Sequence, residues 1–368
     1  MNVVIYGAGS IGCYIGTVLV KQFRMHKQHS SATQEASVPK VTLLGRERLQ
    51  THIQRVGAIT LTDFDGRNDD VVDIPYSTDL QVLAQADIIL VTLKCTQMGD
   101  VAVHLSQYCR ADSLIVCLQN GVGSEQPLVQ LLHASKAESD RPTVRCGIVP
   151  FNVVQTINET SVRFHRATEG SLHLPYDSDL TETHKMYFLL LQSAYLAYGL
   201  GCDLETQMSS VMWGKLLLNL NNAINALSDL PLKAQLSQRG YRRVLAQCQQ
   251  ELLAVCQAKQ IELAKLTAVQ PRYLPMLLKL PDFLFKLIAQ KMLAIDPEAR
   301  SSMWEDVQAN RVTEIDFLNG AVVRLGEEVG IATPANQLVA QLIKALSGGD
   351  LSAGLSSKTL LTKLQQVQ

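Results

Sequence analysis

The stretch Val3-Val4-Ile5-Tyr6-Gly7-Ala8-Gly9-Ser10-Ile11-Gly12 decides how the rest of the chain is read. Four apolar residues make a short strand. A Gly-x-Gly-x-x-Gly turn follows, and Ile15, Val18 and Leu19 then recur at helical spacing. A bare glycine pattern is weak evidence, but between a strand and a helix it has a mechanical meaning. Gly7 allows a tight turn, Gly9 lets backbone approach a pyrophosphate, and Gly12 lets the helix pack close to the sheet. The helix N-terminus offers N–H groups to the anion, through Gly7, Ala8, Gly9, Ser10, Ile11 and Gly12.

Outward from this turn the pattern alternates. Strand-like runs stand at Val41–Leu44, Ala86–Leu93, Ser113–Gln119 and Thr143–Val149, separated by helical stretches, with a polar loop expected over 26–40. Such alternation builds a parallel sheet covered on both faces. Residues 150–176 read as hairpin pieces at Val153-Val154, Ser161–Phe164 and Ser171–Leu174, turning at Glu169-Gly170. Beyond about 183 the chain reads as helices: Met186–Tyr198, Val211–Leu227, Gly240–Lys259, Pro297–Ala309, Glu314–Val329 and Ala335–Leu346. The expected fold class is α/β, with an N-terminal Rossmann-type parallel-sheet domain over 1–205 and an all-α domain over 206–368.

The 368 residues fit two domains at roughly 150 residues each. With 33 Lys+Arg against 34 Asp+Glu, no bulk field exists to hold nucleic acid. Lysines interrupt every long apolar run, so a membrane span is not expected. The N-terminus enters its strand with no basic region or cleavage site before it. Eight scattered cysteines, Cys117 among them inside an apolar run, read as buried free thiols in a reducing, cytoplasmic compartment. The apolar segment 269–296, punctuated by Arg272, Lys279, Lys286 and Lys291, reads as amphipathic helices packed on the helical domain or on a partner subunit in preference to a membrane surface, which leaves a homodimer open.

Three further places carry chemistry. After the second strand, Leu44-Gly45-Arg46 lacks the acid that grips a ribose 2′-hydroxyl, and Arg46 suits a 2′-phosphate; NADP(H) is therefore expected over NAD(H). Lys94 and Asn120 follow strand ends, where open parallel sheets bind ligands. In Trp213-Gly214-Lys215-Leu216-Leu217-Leu218-Asn219-Leu220-Asn221-Asn222, residues Lys215, Asn219 and Asn222 fall in a stripe about 60° wide on a leucine-rich helix, where a lone cation is costly unless it faces a cleft or ligand. All eight histidines lie at or before His184, so a proton donor in the second half must be another residue type. Finally, Thr313-x-x-Asp316 has capping-box spacing. Thr313 as N-cap would start a helix at Glu314, after a break near Asn310-Arg311 that brings Ser302 and Glu314 toward one another.

Together these motifs resemble the ketopantoate reductase (2-dehydropantoate 2-reductase) family. The resemblance runs through the glycine turn, Val91-Thr92-Leu93-Lys94, Gln119-Asn120-Gly121-Val122-Gly123, Trp213-Gly214-Lys215-Leu216 with Asn219, Ser301-Ser302-Met303, and Thr313-Glu314-Ile315-Asp316 with Asn319-Gly320. It implies NADPH-dependent reduction of 2-dehydropantoate to pantoate, in pantothenate biosynthesis, in a cleft between a Rossmann domain and a helical domain. By position, the resemblance implies Lys215 and Glu314 as catalytic, and Asn120, Asn219, Asn222 and Ser302 as substrate contacts. It places Lys94, Asn120 and Glu314 beside the cofactor. Two positions depart from the family pattern: Ala223 stands where a second asparagine is typical, one residue after Asn222, and Ala299 replaces another. A reductase of another 2-oxo or 3-oxo acid, or a non-catalytic NADPH sensor, are the alternative readings.

Overall fold

A computed structural model describes residues 1–29, 38–288 and 298–367, and these divide into two compact units. One comprises Met1–Gln119 and Ser124–Met208; the other comprises Asn120–Gly123 and Ser209–Gln368. The chain thus leaves the first unit for four residues after a strand end, and then returns.

In the first unit, strands β1 (Asn2–Tyr6) and β2 (Lys40–Leu44) flank helix α1 (Ser10–His29), and α2 (Glu47–Val56) follows. Then come β3 (Ala58–Asp63), β4 (Asn68–Val72), β5 (Tyr76–Ser77), β6 (Ile88–Val91), α3 (Met98–Tyr108), β7 (Leu114–Cys117), α4 (Gln126–Ser135) and β8 (Thr143–Cys146). Six of these strands form a parallel sheet in the order β5-β2-β1-β6-β7-β8. Strand β1 alternates between its two faces: Val3 and Ile5 enter the core with α1, while Val4 and Tyr6 enter the core with α3. The order runs outward from β1 through β2 and returns to β6 on β1's other side. Ligands bind such sheets at the carboxyl ends of the strands flanking that reversal.

Among the strands that the sequence reading does not contain are β3 and β4. Strands β3 and β4 form a hairpin that pairs with β10 (Val162–Arg166) and β9 (Val153–Ile157) in a four-stranded sheet, order β4-β3-β10-β9. The inward alternation of Ile59, Leu61 and Asp63 was there to be seen. The third expected hairpin piece, β11 (Leu172–Pro175), instead pairs in parallel with β12 (Cys202–Glu205), beyond α5 (Glu182–Tyr198). The expected loop at 26–40 is helical through His29, since α1 runs that far; residues 30–37 lie outside the described residues.

The second unit is helical: α6 (Met208–Asn219), α7 (Asn221–Ser228), α8 (Leu232–Leu236), α9 (Arg239–Ala258), α10 (Leu274–Leu278), α11 (Asp282–Ile288), α12 (Ser302–Gln308), α13 (Asn319–Val329), α14 (Pro334–Gly348) and α15 (Ser357–Val367). The expected single helix Val211–Leu227 is divided at Leu220. The expected helix start at Glu314 is also corrected. Glu314 precedes a single 3-10 turn, Ile315–Phe317, and α13 begins only at Asn319, so no helix dipole of length acts on the Glu314 carboxylate. The break near Asn310 is present: α12 ends at Gln308 and Asn310 turns with φ +50. Of the segment 269–296, residues up to Ile288 are described, and Leu274, Leu278 and Phe285 are buried in the second unit's core. Arg242, wholly buried on α9, holds it there by donating to the carbonyls of Leu236, Leu278 and Leu280 at 2.9, 3.1 and 2.7 Å. All eight cysteines are free.

The two central strands of the four-stranded sheet are tied by a buried ion pair, Asp63 on β3 with Arg166 on β10, the Nε donating at 3.1 Å. Burial alone would raise the Asp63 pKa, but hydrogen bonds from Asp65 and Arg166 outweigh it and hold the carboxyl below its usual range. Its contribution to stability is therefore present above the unfolded carboxyl pKa of about 4 and is lost as pH falls through the folded value. In urea unfolding, Asp63→Asn should lower neutral stability by about 3–5 kcal/mol, because Arg166 is left buried without its partner. It should also flatten the loss of stability seen below about pH 4. An unchanged acid limb would show that this pair does not set it.

Candidate active site

In the first unit, Gly7 closes β1 with φ +110, a backbone angle that side chains resist. Its N–H and that of Ala8 both donate to Leu44 O at 3.0 Å, tying the turn to the end of β2. On the other side, Thr92 N–H donates to Tyr6 O at 2.8 Å, and Thr92 Oγ1 to Gly7 O at 2.7 Å. A Cβ on Gly12 would overlap the Gly7 carbonyl oxygen and stand 2.5 Å from Thr92 Oγ1, so helix and strand touch only because position 12 is bare. Gly9 differs. A Cβ there would meet no protein atom closer than 4.0 Å, and its φ is ordinary. The fold does not need that glycine; what its hydrogen leaves open is the approach to the first turn of α1, which carries no acid. A bare cradle before an unopposed helix N-terminus fits a dinucleotide pyrophosphate.

The same edge of the sheet carries the other expected cofactor residues. Lys94 is half-buried just beyond β6, where it precedes a 3-10 turn, Cys95–Gln97. Arg46 is exposed and caps α2, its carbonyl accepting from Leu49 N–H at 3.1 Å. The bare position 45 has a further cause that sequence reading missed. A Cβ on Gly45 would overlap the Tyr76 hydroxyl and stand 2.6 Å from Ala8 Cβ.

In the second unit, Asn120-Gly121-Val122-Gly123 is seated on the 3-10 turn Ile315–Phe317. Val122 N–H donates to Phe317 O at 3.1 Å, and Gly121, at φ +86, lies so near that a Cβ would overlap the same oxygen. This seating sets Asn120, whose Oδ1 accepts from Lys215 Nζ at 2.7 Å. Lys215 is half-buried on α6 between residues packed in the core: Trp213, Leu216 and Leu217 are buried, and a Cβ on Gly214 would stand 2.6 Å from Ala264 O.

Asn120, Asn222, Ser302, Met303, Asp306, Glu314 and Leu318 line one recess, with about 10 Å³ of room, the space of a single water. The structure therefore brings Asn120, Asn222, Ser302 and Glu314 together and joins Lys215 to them through Asn120. Asn219 is half-buried on α6 but is not part of that lining. Ser302 is positioned by its neighbour: Ser301 caps α12, its Oγ accepting from Trp304 N–H at 3.2 Å and donating to Asn222 O at 3.0 Å. Its backbone N–H donates to the Oδ1 of wholly buried Asn225 at 2.9 Å. Asp306 was missed in the sequence. It is buried and ion-paired to Arg311 Nε at 2.9 Å, and its place four residues after Ser302, on the same face of α12, was the available signal.

Residues 3–178 match the model of "Ketopantoate reductase PanE/ApbA", and residues 207–347 match its C-terminal counterpart. The chain belongs to the ketopantoate reductase family. It is an oxidoreductase acting on CH–OH, and the family uses a nicotinamide cofactor. The 2-dehydropantoate 2-reductase of Halobacterium salinarum is 25% identical, covering 94% of this chain and 98% of its own. A PanE/ApbA family ketopantoate reductase from Ralstonia eutropha shares the fold with a TM-score of 0.70 at 23% identity, over 95% and 99% of the two chains. A D-mandelate dehydrogenase, solved with NADH and anilino(oxo)acetate, shares it with a TM-score of 0.66 at 18% identity, over 95% and 99%. Among the described residues no helix is long and apolar enough to cross a membrane, and no cluster of His, Cys, Asp and Glu could hold a metal.

The two glycines should separate by experiment. Gly12→Ala should lower thermal stability, by about 1–3 kcal/mol for an overpacked contact. Gly9→Ala should keep the melting temperature but weaken dinucleotide binding about tenfold or more, measured by nucleotide fluorescence. Full-strength binding by Gly9→Ala would show that no ligand uses the cradle.

Proposed function

We propose that this family member reduces 2-dehydropantoate to pantoate with NADPH, the first domain holding the dinucleotide and the second the substrate. What carries this reading is Lys215. A cation sits on a largely buried helix, donating at 2.7 Å to an asparagine that lines the same recess as Asn222, Ser302 and Glu314. A half-buried lysine amid amides and hydroxyls is costly for a fold and useful to a reaction that builds up negative charge.

The reduced nicotinamide, when bound, supplies a hydride to the substrate's carbonyl carbon. Charge then gathers on the carbonyl oxygen, and Lys215 stabilises it and gives up the proton. Asn120, by accepting from Nζ, sets the direction of one of its three N–H bonds. Glu314 orients Lys215 or takes a substrate hydroxyl. Asn219, Asn222 and Ser302 hold carboxylate or hydroxyl groups and so fix the angle of attack. The residues that would hold the cofactor are Arg46 at the ribose 2′-phosphate, and Lys94 and Asn120 at the nicotinamide end.

The departures from the family pattern support a second reading, a different 2-oxo acid. Ala223 is wholly buried in the core and offers no polar group, so its role falls to Asn222, one residue earlier and on the recess. A screen of aliphatic and aryl 2-oxo acids, followed by loss of NADPH absorbance, separates the two. The first reading requires the highest kcat/KM on 2-dehydropantoate, and a higher value on another acid overturns it. Lys215→Ala should lower kcat by about 10²–10⁴-fold while NADPH still binds; turnover near wild type would remove Lys215 as the acid. Arg46→Ala should weaken NADPH far more than NADH, and equal weakening would end the 2′-phosphate assignment.

A further inference from the structure

The turn that follows β2 is held from outside by the short edge strand β5. Leu43 N–H donates to Pro75 O at 2.8 Å and Gly45 N–H to Ser77 O at 3.0 Å, with Leu43 opposite Tyr76 and Leu44 opposite Ser77. The Tyr76 hydroxyl donates to Arg46 O at 3.0 Å, the carbonyl that also takes the first N–H groups of α2. The Tyr76 carbonyl in turn accepts from Gln50 Nε2 at 3.4 Å, one turn into α2. Arg46 itself has no side-chain cap on α2, so its backbone is set by this phenol and by the helix.

The phenol also fills space. Gly45 has an ordinary φ, and its backbone would accept any residue. What bars a side chain is the Tyr76 hydroxyl on one side and Ala8 Cβ on the other. We propose that Tyr76 is a specificity-determining residue, which positions Arg46 through its carbonyl and, by occupying the site of a Cβ at position 45, keeps the turn free of the carboxylate that would select a 2′-hydroxyl. The ligand class it favours is a dinucleotide with a 2′-phosphate. This inference rests on the proposed reading of Arg46, and it adds a residue that touches neither phosphate nor substrate but acts through the turn. A carboxylate beside the 2′ position would repel a phosphate and hydrogen-bond a hydroxyl, so one phenol acts on both sides of the choice.

The test is the dissociation constants of NADPH and NADH for the full-length wild type, Tyr76→Phe and Arg46→Ala, read by nucleotide fluorescence. Tyr76→Phe keeps the ring and loses only the hydroxyl, so the fold is retained, and a thermal melt confirms it. NADPH should bind about three- to tenfold more weakly, as expected for one lost hydrogen bond, with NADH changed less than about twofold. In turnover the effect should fall on KM for NADPH, with kcat unmoved. A merely structural role would weaken both cofactors alike, and that result, or unchanged NADPH binding, overturns the inference. Arg46→Ala separates the levels. If it discriminates against NADPH while Tyr76→Phe does not, only Tyr76 is rejected; if Arg46→Ala affects both cofactors equally, the reading beneath it fails as well.

Discussion

Helix α1 meets strand β1 at van der Waals distance because positions 7 and 12 carry no side chain. Any Cβ at Gly12 would overlap the Gly7 carbonyl, and any at Gly7 would stand 2.7 Å from Leu93 N. That contact aligns the first turn of α1 with the ends of β2 and β6, through bonds from Gly7 and Ala8 to Leu44 and from Thr92 to Gly7. Three strand ends are thereby joined at the point where the sheet reverses its order, and every expected cofactor residue of the first unit, from Gly7 to Arg46 and Lys94, stands on that edge.

The second unit reaches a similar end with buried polar anchors instead of bare backbone. Arg242 satisfies three carbonyls and stacks on Phe285 at 4.1 Å, fastening α9 to the segment before α12. Glu251 accepts the first N–H groups of α14 from Ala335 and Asn336, at 2.8 and 3.0 Å, and Asn336 accepts in turn from Asn319 at 3.0 Å. Asn225 receives Ser301. None of these groups touches the recess by itself. They fix the helix ends from which Ser302 and Asn222 project, and so give that part of the recess a defined geometry.

Much of the candidate site was legible beforehand, for reasons tied to local chemistry. A Gly-x-Gly-x-x-Gly turn between strand and helix has few uses, and a lysine among leucines and asparagines at helical spacing demands a partner. Asp306 was not read, although it lies one turn beyond Ser302, because an acid followed five residues later by an arginine is also an ordinary surface pair. Glu314 was found but given the wrong local structure: capping-box spacing is blind to whether tertiary contacts extend the turn. Here the backbone of Asn120–Gly123 lies on Phe317, and the helix starts later.

The order of apolar and polar residues alone determined the alternating half, the helical half, and which residue types could carry a proton. Those properties depend on neighbours within a turn or a strand, where periodicity and side-chain volume are decisive. Only the folded chain decided that β3 and β4 join β9 and β10, that Asn120 leaves its strand to meet Lys215, and that a tyrosine thirty-one residues away keeps position 45 bare. Each of these is a contact between segments distant along the chain, and the free energy of such contacts lies in shape and hydrogen-bond geometry that no local pattern encodes.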